Sequence, residues 1–164
     1  MALVIEDGSL VAGANSFVTV AEVRAFAGAR ASTLPVADGD VEAACIRAMD
    51  YINAFRDKFT GSKVSGSQAL QWPRSGAYVD GWEVAETEIP GVLKSAQCQL
   101  AIDAAALDLQ PSGDGREVIR EKVDVLETEY RPGAGGNPQP ALTKARALLE
   151  PLLRSGGGLT VGRA

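Results

Sequence analysis

The sequence predicts a mainly α protein: a small helical bundle of about four helices with a long inserted loop, a short β-hairpin or extended segment, and a flexible C-terminal arm. Three observations predict it. Apolar residues recur at helical spacing in separate stretches of the chain. Residues 60–89 lose that period and carry four glycines among serines, threonines and aromatics. The chain then ends on a glycine-rich peptide, "RSGGGLTVGRA".

The elements follow in order. Leu3–Ile5 is a short apolar run, read as a strand or extended arm, and glycine-rich turns follow it. Thr19 and Glu22 form a T-x-x-E capping box. Val20, Val23, Phe26 and Ala27 then share one face of a helix over roughly residues 20–31. Asp38 or Asp40 is suited to cap the next helix. Its stripe is the clearest in the chain: Val41, Cys45, Ala48, Ile52 and Phe55, over roughly residues 40–57. Residues 60–89 read as a long ordered loop, with Asp80-Gly81 as a hairpin turn between short apolar-aromatic segments.

A third helix starts near Pro90, since proline suits a first turn, and runs to about Leu109. It carries two apolar stripes. One is Ile89, Val92, Leu93, Ala96, Leu100, Ala104 and Leu107. The other is Cys98, Ile102, Ala105 and Leu109. A helix apolar on two sides packs between two neighbours, the second being the same chain or another subunit. Residues 117–130 alternate in places and read as extended or hairpin structure. "RPGAGGNPQP" is a linker. Leu142, Ala145, Leu149 and Leu152 mark a last helix, which Pro151 ends or kinks near Glu150. Residues 1–154 thus read as one helical domain, and 155–164 as an arm.

Composition narrows the function classes. The formal net charge is −5, where a chain that grips phosphates over a broad surface carries a basic excess. Histidine is absent, which removes the commonest general base. Cys45 and Cys98 stand alone, outside any CxxC pair, so no zinc site is expected. Both fall on apolar stripes and read as core residues. No apolar run approaches the ~20 residues of a membrane span, and "MALVIEDGS" lacks the basic region of a signal peptide. A reducing cytoplasm is the expected site of synthesis. The carboxylate pairs Glu127/Glu129 and Glu86/Glu88 read as solvated edges, and "GAGG" lacks the lysine of a phosphate loop. The expectation is a protein without catalytic residues, cofactor or metal.

"QALQWPRSG" is the most pointed motif. Trp72, Tyr78 and Trp82, beside Lys63 and Arg74, could stack single-stranded bases and pair phosphates. Asp80, Glu83, Glu86 and Glu88 crowd the same segment and would repel a phosphate backbone. The favoured reading is that Trp72 buries its ring and pins the loop, with Pro73 restricting the backbone on either side. An anchored loop can still present Arg74 and Tyr78 to a partner. The tail "LTVGRA" is either a free end or an arm that orders on a neighbour.

Three stretches carry a family resemblance. They are "IEDGSLVAGANSFVTVAEVRAF", then "ALQWPRSGAYVDGWEV" with "IPGVLKSAQCQLA", and finally "REKVDVLETEY" with "ALLEPLLR". In this order they resemble the head–tail connector, or adaptor, proteins of tailed double-stranded DNA bacteriophages, some of which are described as DnaT-like single-stranded-DNA-binding proteins. The resemblance covers nearly the whole chain, and "ALQWPRSG" and "GANSFVT" are its most specific parts. It implies a virion protein of the neck, assembled with itself as a ring, a dodecamer, beneath the portal protein. That ring extends the DNA channel, through which DNA passes without sequence-specific binding. It also offers a platform to the next stopper or tail-terminator protein. The resemblance makes Leu159, Thr160, Val161 and Arg163 a portal-docking arm. Trp72, Pro73, Arg74, Tyr78 and Trp82 become a loop anchor or interface, and Cys98, Ile102, Ala105 and Leu109 a helix face between subunits. The alternative is a single-stranded-DNA-binding protein acting in phage replication, with exposed Trp72, Tyr78 and Trp82 as stacking platforms.

Overall fold

The computed structural model describes residues 2–110 and 142–154, together with the strands Val118–Lys122 and Glu127–Tyr130. The fold is mainly α, as the sequence predicts. Its described helices are α1 (Val20–Gly28), α2 (Asp38–Asn53), α3 (Gly91–Ala106) and α4 (Thr143–Leu149), the last running into a 3-10 turn at Glu150–Leu152. Three small antiparallel ribbons accompany them: β1 (Ser62–Lys63) with β2 (Arg74–Ser75), β3 (Tyr78–Val79) with β4 (Trp82–Glu83), and β5 (Val118–Lys122) with β6 (Glu127–Tyr130). The last pairs Lys122 with Glu127 and Val118 with Tyr130, the extended segment expected there. No described helix is long and apolar enough to cross a membrane.

α1 starts where the capping box places it. The Glu22 backbone N–H donates to Thr19 Oγ1 at 3.2 Å, and the Thr19 N–H donates to Glu22 Oε2 at 2.6 Å. Val23 and Ala27 face inward, and the Arg30 guanidinium covers the half-buried Phe26 ring at 3.4 Å. α2 begins without the expected aspartate cap. Ala37 occupies the cap position, and Asp38, already in the first turn, instead accepts from Arg24 at 2.7 Å. The same guanidinium also donates to the Pro35 and Val36 carbonyls, so it ties down the loop that enters α2.

The stripe of α2 is buried from Val41 to Ile52. The helix stops at Asn53, short of the predicted end. The chain then continues in tighter turns, with Phe55 N–H donating to Ile52 O and Lys58 N–H to Phe55 O. Phe55 therefore leaves the core stripe and is half-buried.

α3 is the centre of the bundle and packs against α1, α2 and α4. Both of its sides are covered by this chain. Leu93, Ala96, Leu100 and Ala104 are buried on one, and Cys98 on the other. The helix ends at Ala106, so Leu107 and Leu109 leave the helical phase. Leu107 is exposed, and Leu109 folds back into the core. Of the four residues assigned to a face between subunits, Cys98 and Leu109 are thus covered within the chain, while Ile102 and Ala105 are half-buried.

Gln97 is a polar residue in this core, and each end of its amide is used. Its Oε1 accepts from Phe17 N–H at 2.9 Å, and its Nε2 donates to Ser16 Oγ at 2.8 Å and to Cys45 O at 3.4 Å. One side chain therefore joins α3 to α2 and to the N-terminal segment. That segment closes on Glu6, fully buried, whose carboxylate accepts from the backbone N–H groups of Gly8, Leu10 and Val11.

Candidate functional site: an acidic hairpin and a basic aromatic cleft

The Trp-Pro-Arg motif builds a clamp. Trp72 is fully buried, and Pro73 beside it is also covered. Arg74 is turned inward. Its guanidinium donates to Thr60 O at 2.7 Å, Gly61 O at 2.8 Å and Gln71 O at 3.2 Å. It also lies 5.8 Å from the Phe59 ring. Burial lowers its pKa, and the charge of Arg154 adds to the effect. Gln68 completes the clamp by donating to the Leu70 and Pro73 carbonyls. Arg74 is therefore spent inside the protein and is not presented to a partner, contrary to one of the sequence expectations. A planar fork with five donors is the side chain suited to gathering carbonyls this way.

Held by that clamp, the next hairpin projects. Asp80 and Gly81 both have positive φ, +53° and +84°, as a two-residue I′ turn requires. Val79 pairs with Trp82 and Tyr78 with Glu83, so alternation puts Tyr78 and Trp82 on opposite faces of the ribbon. Trp82 is 80% exposed and Tyr78 52%. Trp82 borders a shallow groove of about 250 Å³ with Val79, Val84, Pro90 and Val92, rimmed by Glu83 and Glu88. Asp80 and Glu86 are exposed nearby. A stacking row of Trp72, Tyr78 and Trp82 does not form. One ring is buried, the other two face apart, and their surroundings are acidic.

The opposite chemistry occurs in a cleft of about 560 Å³ between the C-terminal end of α2 and α4. Its apolar lining includes Tyr51, Phe55, Leu149 and Leu153. Tyr51 and Phe55 stack at a tilt, with centroids 5.3 Å apart. Lys58 Nζ stands 5.3 Å from the centre of the Phe55 ring, and Arg146 Nε donates to Tyr51 Oη at 3.1 Å. Gln110, Thr143 and Glu150 complete the rim. Among the described residues, two cations and one carboxylate thus surround an aromatic floor. Sequence reasoning missed this site because Lys58 and Arg146 meet only in the fold, and because Phe55 was counted as core. The one local sign was "FRDKF", which sets an aromatic three residues before a lysine.

Both cysteines are free and buried. Burial, with the Glu42 charge adding, pushes the Cys45 thiol up to about 11. Burial and the neighbouring Cys45 push Cys98 up to about 12. Neither is a thiolate at neutral pH. Among the described residues, no three His, Cys, Asp or Glu side chains are placed to share a metal ion. Leu159, Thr160, Val161 and Arg163, the proposed arm, lie outside the described residues.

No curated protein and no solved structure matches the chain. A family model described as "Putative DnaT-like ssDNA binding protein" matches residues 1–164, and the chain belongs to that family.

Proposed function

We propose that this chain binds single-stranded DNA without catalysing a reaction on it, and that the strand meets the protein at the basic aromatic cleft. Family membership over residues 1–164 is the observation that carries the reading. The cleft supplies matching chemistry. Phe55 offers part of an aromatic face, and Lys58 and Arg146 offer cations for phosphates. Base–aromatic stacking and backbone pairing are the two elements of sequence-tolerant single-strand binding. Few cations line the cleft among the described residues, so few counterions are released, and the slope of log K against log salt concentration is shallow, roughly −0.7 per phosphate contacted. The test is fluorescence anisotropy of a labelled oligothymidylate. Binding that weakens at least tenfold in K58E/R146E supports the reading. A wild-type protein that leaves the oligonucleotide free at low salt defeats it.

A second reading is the head–tail adaptor, a virion ring beneath the portal that carries the DNA channel and seats the next neck protein. The sequence resemblance supports it, and so does the hairpin. Trp82, projecting among carboxylates, suits a protein partner better than a phosphate backbone. On this reading residues 155–164 dock on the portal. Deleting residues 156–164 then leaves a folded subunit that no longer joins portal-bearing heads. Normal attachment of the truncated chain sinks the arm.

A further inference from the structure

We infer that the hairpin of a second copy of this chain occupies the basic aromatic cleft when DNA does not. The inference rests on reading the cleft as the binding surface. The hairpin carries an aromatic ring, Trp82, with Asp80 and Glu83 close to it in sequence, and it projects into solvent. The cleft offers an aromatic and aliphatic floor with Lys58 and Arg146 on its rim. An aromatic ring flanked by anions is also what a nucleotide presents, so one cleft chemistry accepts both.

Among the described residues of its own chain, Trp82 has no such partner. It borders the shallow groove with Val79 and Val92, not the cleft, and remains 80% exposed there. A projecting tryptophan is the residue type most often dominant in protein contacts. The I′ turn and the clamp beneath fix the hairpin before binding, so little ordering entropy opposes the contact. β3 also lies beside the Glu150–Leu152 turn, and Glu150 borders the cleft. The two patches are therefore neighbours on the surface, an arrangement in which two copies related by a two-fold axis exchange hairpins reciprocally. The contact is a small one, of the weak and concentration-dependent class.

The test is sedimentation velocity of the full chain over a wide concentration range at low and high salt. The expected species is a dimer that dissociates with salt. W82A, an exposed position that leaves the fold intact by circular dichroism, weakens it at least tenfold. E83K and K58E each do the same alone, and an equimolar mixture of the two restores association between unlike copies. Oligothymidylate dissolves the dimer, and W82A still binds it. A wild type that stays monomeric at every concentration overturns the inference, as does an assembly insensitive to both W82A and K58E. In either case cleft-dependent DNA binding can survive, and the proposed function with it. Conversely, a dimer that loses association in W82A and K58E but never binds oligonucleotide keeps the hairpin contact and removes the DNA reading.

Discussion

The indole ring of Trp72 stands edge-on to the ring of Phe59, with 6.3 Å between centroids and 85° between planes. Both rings are fully buried, and this pair fastens the loop that carries the exposed hairpin. Trp72→Ala is expected to cost about 3–5 kcal/mol by the cavity it leaves. Trp72 Nε1 is buried and has no hydrogen-bond partner among the described residues. Trp72→Phe removes that unpaired donor and keeps most of the apolar contact, so it costs less than the alanine change. Denaturant unfolding of the two variants checks the order, and equal losses would contradict it.

Arg74 joins Thr60, Gly61 and Gln71 through one guanidinium. Arg74→Met keeps the apolar stem and leaves those carbonyls without their donor. The expected loss is about 2–4 kcal/mol. Arg74→Lys recovers only part of it, because a point charge cannot reproduce a planar fork. A stability of Arg74→Met equal to wild type would show that the arginine is not the clamp.

Gly8 has a φ of +108°, and a Cβ built there collides with the Thr87 carbonyl. Gly13 has a φ of +70° with open space around it. Gly8→Ala is therefore expected to lower the melting temperature clearly more than Gly13→Ala, whose cost is backbone strain alone, about 1 kcal/mol. Matching shifts for the two would mean that the turn does not press against residue 87.

The capping box gives a pH dependence. Burial opposes ionisation of Glu22, but the hydrogen bonds from Thr19 outweigh it and hold the carboxyl below its usual range. A lowered folded-state pKa stabilises the protein above the ordinary glutamate range, and the benefit fades as pH falls through the lowered value. Thr19→Ala removes about 1 kcal/mol at neutral pH. The gap between variant and wild type should narrow on acidification, and melting curves from neutral pH to about pH 3 measure it. A constant gap would assign the effect to the hydroxyl alone.

Local chemistry was legible in the sequence. Thr19 and Glu22 announced the start of α1, the Val41–Ile52 spacing announced the core side of α2, and Asp80-Gly81 announced the hairpin turn. Burial of Trp72 was also the favoured reading. What depended on tertiary contact was hidden. Gln97 interrupts the apolar pattern of α3, yet its amide joins that helix to both α2 and the N-terminal segment. Arg74 looked available to a partner because the carbonyls it serves are positioned by the folded loop. The assignment of Leu107 and Leu109 to helical stripes failed because α3 ends at Ala106 and the period ends with it. The cleft needed α4 to lie beside the end of α2, a placement no local spacing encodes.

The central claim is that single-stranded DNA meets the protein at the cleft and not at the hairpin. Photo-crosslinking with an iodo-deoxyuridine oligonucleotide, followed by peptide mapping, tests it most directly, since such crosslinks form at stacked aromatic side chains. Adducts on the peptide containing Tyr51 and Phe55, lost in K58E/R146E, are the predicted result. Adducts confined to Trp82 or Tyr78, or none at low salt, would contradict it.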